Sequence, residues 1–112
     1  MAPHRTSLTF SPDGGQIAIG GKDGIARVFS LETGQPLVPL LGHEDDVTSV
    51  ALSSDGQRIF TGGVDRTVKI WDRETGDELL TLRGHTGEVW GVMVVANRAV
   101  ASIADDGRIL LW

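Results

Sequence analysis

Two sets of side chains in this 112-residue chain have the types that nucleophilic chemistry uses. His43, Thr61 and Asp65 form one set, and His85, Ser102 and Asp106 the other. A histidine can take a proton from a hydroxyl while a carboxylate orients the imidazole, the logic of a Ser-His-Asp triad. The duplication argues against that use, because an enzyme seldom needs a second triad about 42 residues further on. No Gly-x-Ser-x-Gly elbow is present to expose a strained nucleophile. His43 and His85 lack the local cluster of further ligands that a metal site needs. The stretch from Gly15 to Lys22 faintly suggests a phosphate loop, but Gln16 stands where its first glycine belongs and Asp23 replaces the required Ser or Thr. A turn between two strands is the plainer reading.

The duplication extends along the chain. Ser11-Pro12-Asp13-Gly14 returns as Ser53-Ser54-Asp55-Gly56, Glu32-Thr33-Gly34 as Glu74-Thr75-Gly76, and Gly42-His43 as Gly84-His85, each 42 residues on. In the window from Leu8 to His43, 14 of 36 positions are identical at that spacing. A third copy follows His85, in which the spacing drops to 41 and Thr61, Asp65 and Trp71 map to Ser102, Asp106 and Trp112. The missing residue falls where the Ser53–Gly56 turn shortens to Val95-Ala96-Asn97.

Each period holds four short segments rich in β-branched and aromatic residues. In the middle copy these lie near Val47–Leu52, Arg58–Thr61, Val68–Trp71 and Leu79–Leu82. Asp-Gly at 13–14 and 55–56 is a hairpin turn signal, because both residues tolerate positive φ. No sustained 3.6-residue apolar period marks a helix, so the chain reads as all-β. A four-stranded unit of this length cannot bury both its faces alone, whereas units stacked around an axis can.

At this point Gly84-His85, Asp65 and Trp71-Asp72, in registered copies, resemble the WD-repeat β-propeller family from about Leu8 to Trp112. The resemblance implies four-stranded antiparallel blades in an incomplete ring of eleven strands. Blade 1 then spans about 5–41, blade 2 about 47–83 and blade 3 about 89–112 without its outermost strand. It implies a hydrogen-bonded tetrad in two blades: His43, Thr61, Asp65 and Trp71, then His85, Ser102, Asp106 and Trp112. Blade 1 departs from the pattern, with Ile19 and Phe29 in place of the hydroxyl and the indole, Met1 in place of the histidine, and His4 out of register. That blade is expected to rely on apolar packing.

Related propellers commonly meet partners at the positions of Asp46, Thr48 and Val64 in blade 2 and of Glu88, Trp90 and Asp105 in blade 3. The expected function is therefore a non-catalytic scaffold for protein–protein interaction, without a cofactor and belonging to a longer WD-repeat protein. A regulatory or sensor segment attached to a signalling enzyme, or a short self-assembling propeller, are the alternatives. Two copies supply 22 strands and three supply 33, neither a multiple of four, so simple closure into whole blades does not follow.

Composition agrees with this reading. The net charge of −5 argues against nucleic acid and anionic membranes as partners. No cysteine is present for disulfides or thiolate sites. The longest apolar run, Val89–Ala96, is too short to span a bilayer, and the first ten residues hold no hydrophobic leader. A cytoplasmic location is expected. Taken alone, the chain exposes the flat faces of its first and last blades, so self-association is expected as well.

Overall fold

The computed structural model describes residues 7–21, 23–95 and 99–112. The shortened turn at Val95-Ala96-Asn97 and the positions of Met1, His4 and Lys22 fall wholly or partly outside that set. Among the described residues, eleven strands form three antiparallel sheets. The first holds β1 (Leu8–Phe10), β2 (Gln16–Ile19), β3 (Ile25–Ser30) and β4 (Leu40–Leu41). The second holds β5 (Val47–Leu52), β6 (Arg58–Gly63), β7 (Val68–Asp72) and β8 (Glu78–Leu82). The third holds β9 (Val89–Val95), β10 (Ala99–Ala104) and β11 (Ile109–Leu111). Each sheet is a meander whose hydrogen-bonded order follows the sequence. β1, β5 and β9 lie next to one another, so the sheets fan out as a partial propeller with no closed barrel.

The sheets hold together by burying their facing sides. Ala18, Ala26, Val28 and Leu40 of the first sheet pack against Val47, Val50, Ile59 and Trp71 of the second. Val68 of the second packs with Val89 and Ala104 of the third, and Leu82 and Val92 close the edge of that cluster. A side chain of this size contributes about 1.5–3 kcal/mol when fully buried. β4 is only two residues long, and Pro39, immediately before it, cannot donate a ladder hydrogen bond.

Hairpin turns form at both Asp-Gly pairs, joining β1 to β2 and β5 to β6. At Asp13-Gly14 and Asp55-Gly56 only the glycines have positive φ, 73° in each case. The aspartates act through their side chains instead. Asp13 Oδ1 accepts from the Ser11 hydroxyl at 2.5 Å and the Gly15 N–H at 2.9 Å. Asp55 Oδ1 accepts from Ser53 at 2.5 Å and the Gln57 N–H at 3.0 Å. The loops are four residues long, closed by Ser11 N–H to Gln16 and Ser53 N–H to Arg58. A two-residue type I′ turn would have needed both residues left-handed.

One turn residue carries strain. Gly24, Arg66 and Gly107 occupy equivalent left-handed positions, with φ of 84°, 74° and 77°. A residue with a Cβ pays about 1–2 kcal/mol there, partly offset by the freer unfolded chain of glycine. Arg66→Gly is therefore expected to raise the unfolding free energy by about 0.5–1 kcal/mol. Denaturant titration of the two proteins checks it, and a lower midpoint for the variant would contradict it.

Candidate functional site

The second sheet is preceded by Gly42-His43 and closed by the β6–β7 turn, and between them they set four side chains in a chain of hydrogen bonds. The His43 ring Nδ1 lies 2.9 Å from Asp65 Oδ2, and its Nε2 lies 2.6 Å from Thr61 Oγ1. The Trp71 indole N–H donates to the same Thr61 oxygen at 2.8 Å. With the proton on Nδ1, the imidazole donates to the carboxylate and accepts from the Thr61 hydroxyl, so every group is used. The third sheet repeats the arrangement. His85 Nδ1 to Asp106 Oδ2 is 3.0 Å, His85 Nε2 to Ser102 Oγ is 2.7 Å, and the Trp112 indole N–H to Ser102 Oγ is 2.8 Å.

Local sequence explains the placement. The glycine before each histidine lies under an indole. A Cβ on Gly42 would come within 2.9 Å of Trp71 Cη2, and one on Gly84 within 2.9 Å of Trp112 Cη2. Each aspartate also ties the incoming chain to the turn. Asp65 accepts the Glu44 N–H at 3.0 Å and the Thr67 N–H at 3.1 Å, and Asp106 accepts the Thr86 and Arg108 N–H groups at 2.9 Å each.

The two carboxyls are strongly acidic. Burial is the largest single influence on Asp65 and opposes its charge, but hydrogen bonds from His43, Thr67 and the Glu44 N–H outweigh it and hold the carboxyl well below the usual range. Burial likewise opposes the charge of Asp106, and the N–H groups of Arg108 and Thr86 with the His85 ring bring it down to about 2.

A residue not foreseen in the sequence, Thr67, donates its hydroxyl to Asp65 Oδ1 at 2.7 Å. Its signal was present in the Asp-x-Thr spacing, which lets a hydroxyl reach back to a carboxylate two residues earlier. Lys69 was missed as well. It is buried, 8% exposed at the side chain, and bonds Glu78 at 2.9 Å and Thr81 at 2.8 Å. The first sheet substitutes a surface ion pair, with Asp23 held bidentate by Arg27 at 2.9 and 3.2 Å. The Arg27 hydrogen bonds are the main reason why the Asp23 carboxyl falls to about 2. Ile19 and Phe29, where the other sheets have hydroxyl and indole, are half-buried on its uncovered face.

The six expected contact positions gather at the end of the fan that carries the histidine loops. The Val64 N–H donates to the Asp46 carbonyl and the Asp105 N–H to the Glu88 carbonyl, both at 2.9 Å, so the two sheets present the same rim. Glu88 and Asp105 are exposed, Asp46 and Val64 partly so, and Trp90 is 42% exposed. Thr48 is turned inward. Its hydroxyl donates to the Gly62 carbonyl at 3.1 Å and to the Val89 carbonyl of the third sheet, which makes it a tie between sheets.

At the opposite end, the lower turns enclose a groove of about 510 Å³ lined by Asp13, Gln16, Arg58, Asp72 and Arg73, among others. Its charges pair across it, Arg73 with Asp13 at 3.6 Å and Arg58 with Asp72 at 3.8 Å. Among the described residues, no group of three or more His, Asp and Glu side chains could hold a metal ion. Among them, too, no helix is long and apolar enough to cross a membrane.

Comparison with protein families finds the WD40 model, described as WD domain, G-beta repeat, at residues 3–30, 34–72 and 76–112. A comparison with curated proteins gives no match. The second and third matched segments each begin before the outer strand of one sheet and run through three strands of the next, so the sequence repeat stitches neighbouring sheets together. With nearly its whole length matched and the same tetrad built twice, the chain belongs to the WD40 repeat family.

Proposed function

We propose that the chain is a non-catalytic platform on which other proteins dock, at the rim formed by Asp46, Thr48, Val64, Glu88, Trp90 and Asp105. WD40 repeats generally serve as scaffolds for protein–protein interaction. The observation that carries the reading is the condition of the two hydroxyls that a triad would need as nucleophiles. Thr61 is wholly buried and Ser102 is 1% exposed, and each hydroxyl oxygen already accepts an indole N–H. A nucleophile must reach a substrate carbonyl, and its attacking lone pair must be free. These hydroxyls instead brace the rim from beneath.

The rim itself suits a protein partner. Trp90 offers a large apolar anchor, and Glu44, Asp45, Glu88 and Asp105 are exposed carboxylates that favour a basic surface over nucleic acid or anionic lipid. Thr48 contributes by fixing the backbone of the rim rather than by touching the partner. The blades at about 5–41, 47–83 and 89–112 would act within a longer WD-repeat protein in the cytoplasm.

The test is affinity capture from a cytosolic extract, comparing the chain with a Trp90→Ala, Glu88→Lys variant. At least a ten-fold loss of the captured proteins is expected, with the far-ultraviolet circular dichroism unchanged. Equal capture by both proteins, or none by either, would overturn the reading.

A further inference from the structure

The groove at the lower end lies between the first two sheets, whose facing sides already pack on each other. Its walls come from the β1–β2, β5–β6 and β7–β8 turns and from the segment before β4. Among the described residues that line it, four carboxylates, Asp13, Asp55, Asp72 and Glu74, face the guanidinium groups of Arg58 and Arg73. The Ser11 and Ser53 hydroxyls hold Asp13 and Asp55 below the usual carboxylate range, and the Thr75 N–H does the same for Asp72. The groove is negative at neutral pH.

Its ion pairs leave acceptor capacity unused. Arg73 to Asp13 at 3.6 Å and Arg58 to Asp72 at 3.8 Å are both longer than the roughly 2.7–2.9 Å of a charge-assisted hydrogen bond. The carboxylate of exposed Glu74 pairs with no cation among the described residues. From the first sheet, the side-chain oxygen of Gln16 is buried without a hydrogen-bond partner, one of two such atoms among the described residues. Folds normally avoid a buried acceptor that has no donor. The repeat does not require this glutamine, since its counterparts further along the chain are Arg58 and Ala99. Its soft terminal torsion lets a donor inside the groove draw the oxygen toward itself. What the groove lacks is donors.

We propose that this groove binds an arginine side chain presented by a partner polypeptide. A guanidinium carries five N–H donors in one plane, enough to serve the Gln16 oxygen from the first sheet and the Asp72 and Glu74 carboxylates from the second. An ammonium offers three donors around a point and matches a carboxylate less well. Exposed Leu37 and Val38 supply an apolar wall for the methylene stem of the arginine. The groove already seats one guanidinium, for Arg73 lies over Gly56, where a Cβ would come within 2.9 Å of its Nη1. The volume of about 510 Å³ lies within the range of about 300–1,000 Å³ that holds small ligands. A phosphate or an acidic peptide would meet the surplus of carboxylates and be repelled.

This site is distinct from the rim at the histidine end, and backbone amide shifts tell the two apart. The nitrogen-15-labelled chain is titrated with a capped tripeptide holding arginine between two glycines, and in parallel with its lysine and glutamate counterparts. The arginine peptide should shift the Gly15, Gly56 and Gly76 amides with a dissociation constant of about 1 mM. The lysine peptide should bind about three-fold more weakly or worse, and the glutamate peptide not at all. Gln16→Met removes the acceptor and Glu74→Lys adds a competing cation. Each should weaken binding about five-fold or more, with the amide spectrum otherwise that of the wild-type fold. An absence of shifts at about ten times that concentration overturns the proposal. Shifts confined to Glu88 and Asp105 overturn it too, and leave the platform reading standing. So does undiminished binding by both folded variants, or equal binding of the glutamate peptide.

Discussion

Replacing Trp71 by alanine is expected to lower the unfolding free energy by about 3–5 kcal/mol, the cost of truncating a large buried aromatic. Among the described residues no other fully buried side chain is larger, and Trp71 joins two kinds of support. Its ring packs in the cluster between the first and second sheets and covers Gly42. Its indole N–H also holds the Thr61 oxygen on which the His43 ring rests. Thermal unfolding followed by circular dichroism should show the midpoint falling by at least about 12 °C. Trp71→Phe keeps most of the packing and loses the donor, so it should cost only about 1–2 kcal/mol. A drop of under 1 kcal/mol for Trp71→Ala would mean that the sheets do not close on this ring.

The second large effect is expected at Asp65. Its removal in Asp65→Ala orphans the donors of His43, Glu44 and Thr67 together, a loss of about 3 kcal/mol by analogy with breaking a buried ion pair. The pH dependence follows from the direction of the shift. A carboxyl whose folded-state pKa lies below its unfolded value of about 3.8 stabilises the fold fully above that value. The contribution drains away as pH falls toward the folded pKa. Asp106, at about 2, adds a loss between about pH 4 and pH 2. Urea titrations at pH 7 and pH 3 should therefore show the wild-type chain losing stability on acidification and Asp65→Ala losing distinctly less. Equal acid losses in the two proteins would detach Asp65 from the fold's acid sensitivity.

Much of this frame is legible in the sequence because the repeat displays it. Strands near Val47–Leu52, Arg58–Thr61, Val68–Trp71 and Leu79–Leu82 follow from β-branched residues between turn signals, and the strands lie within two residues of those bounds. The grouping of histidine, hydroxyl, aspartate and tryptophan is visible because two copies keep all four in register. What the sequence hides depends on a single copy or on the third dimension. Lys69 sits at a strand position that reads as solvent-facing, and only Glu78 and Thr81 on the adjacent strand enclose it. Thr48 reads as a rim contact until the neighbouring sheet brings the Val89 carbonyl to its hydroxyl. Asp13 and Asp55 signal turns correctly, but their carboxylates rather than their φ angles do the turning.

The central claim is that His43, Thr61, Asp65 and Trp71 act as one relay, and a double-mutant cycle tests it most directly. Trp71→Phe and Asp65→Asn remove one link at each end, and those two side chains are joined through Thr61 and His43. Unfolding free energies of the wild-type chain, the two single variants and the double variant give the coupling. The relay predicts a double variant at least about 0.5 kcal/mol more stable than the sum of the single losses allows. Strict additivity would contradict the relay and leave four separate hydrogen-bonding residues in its place.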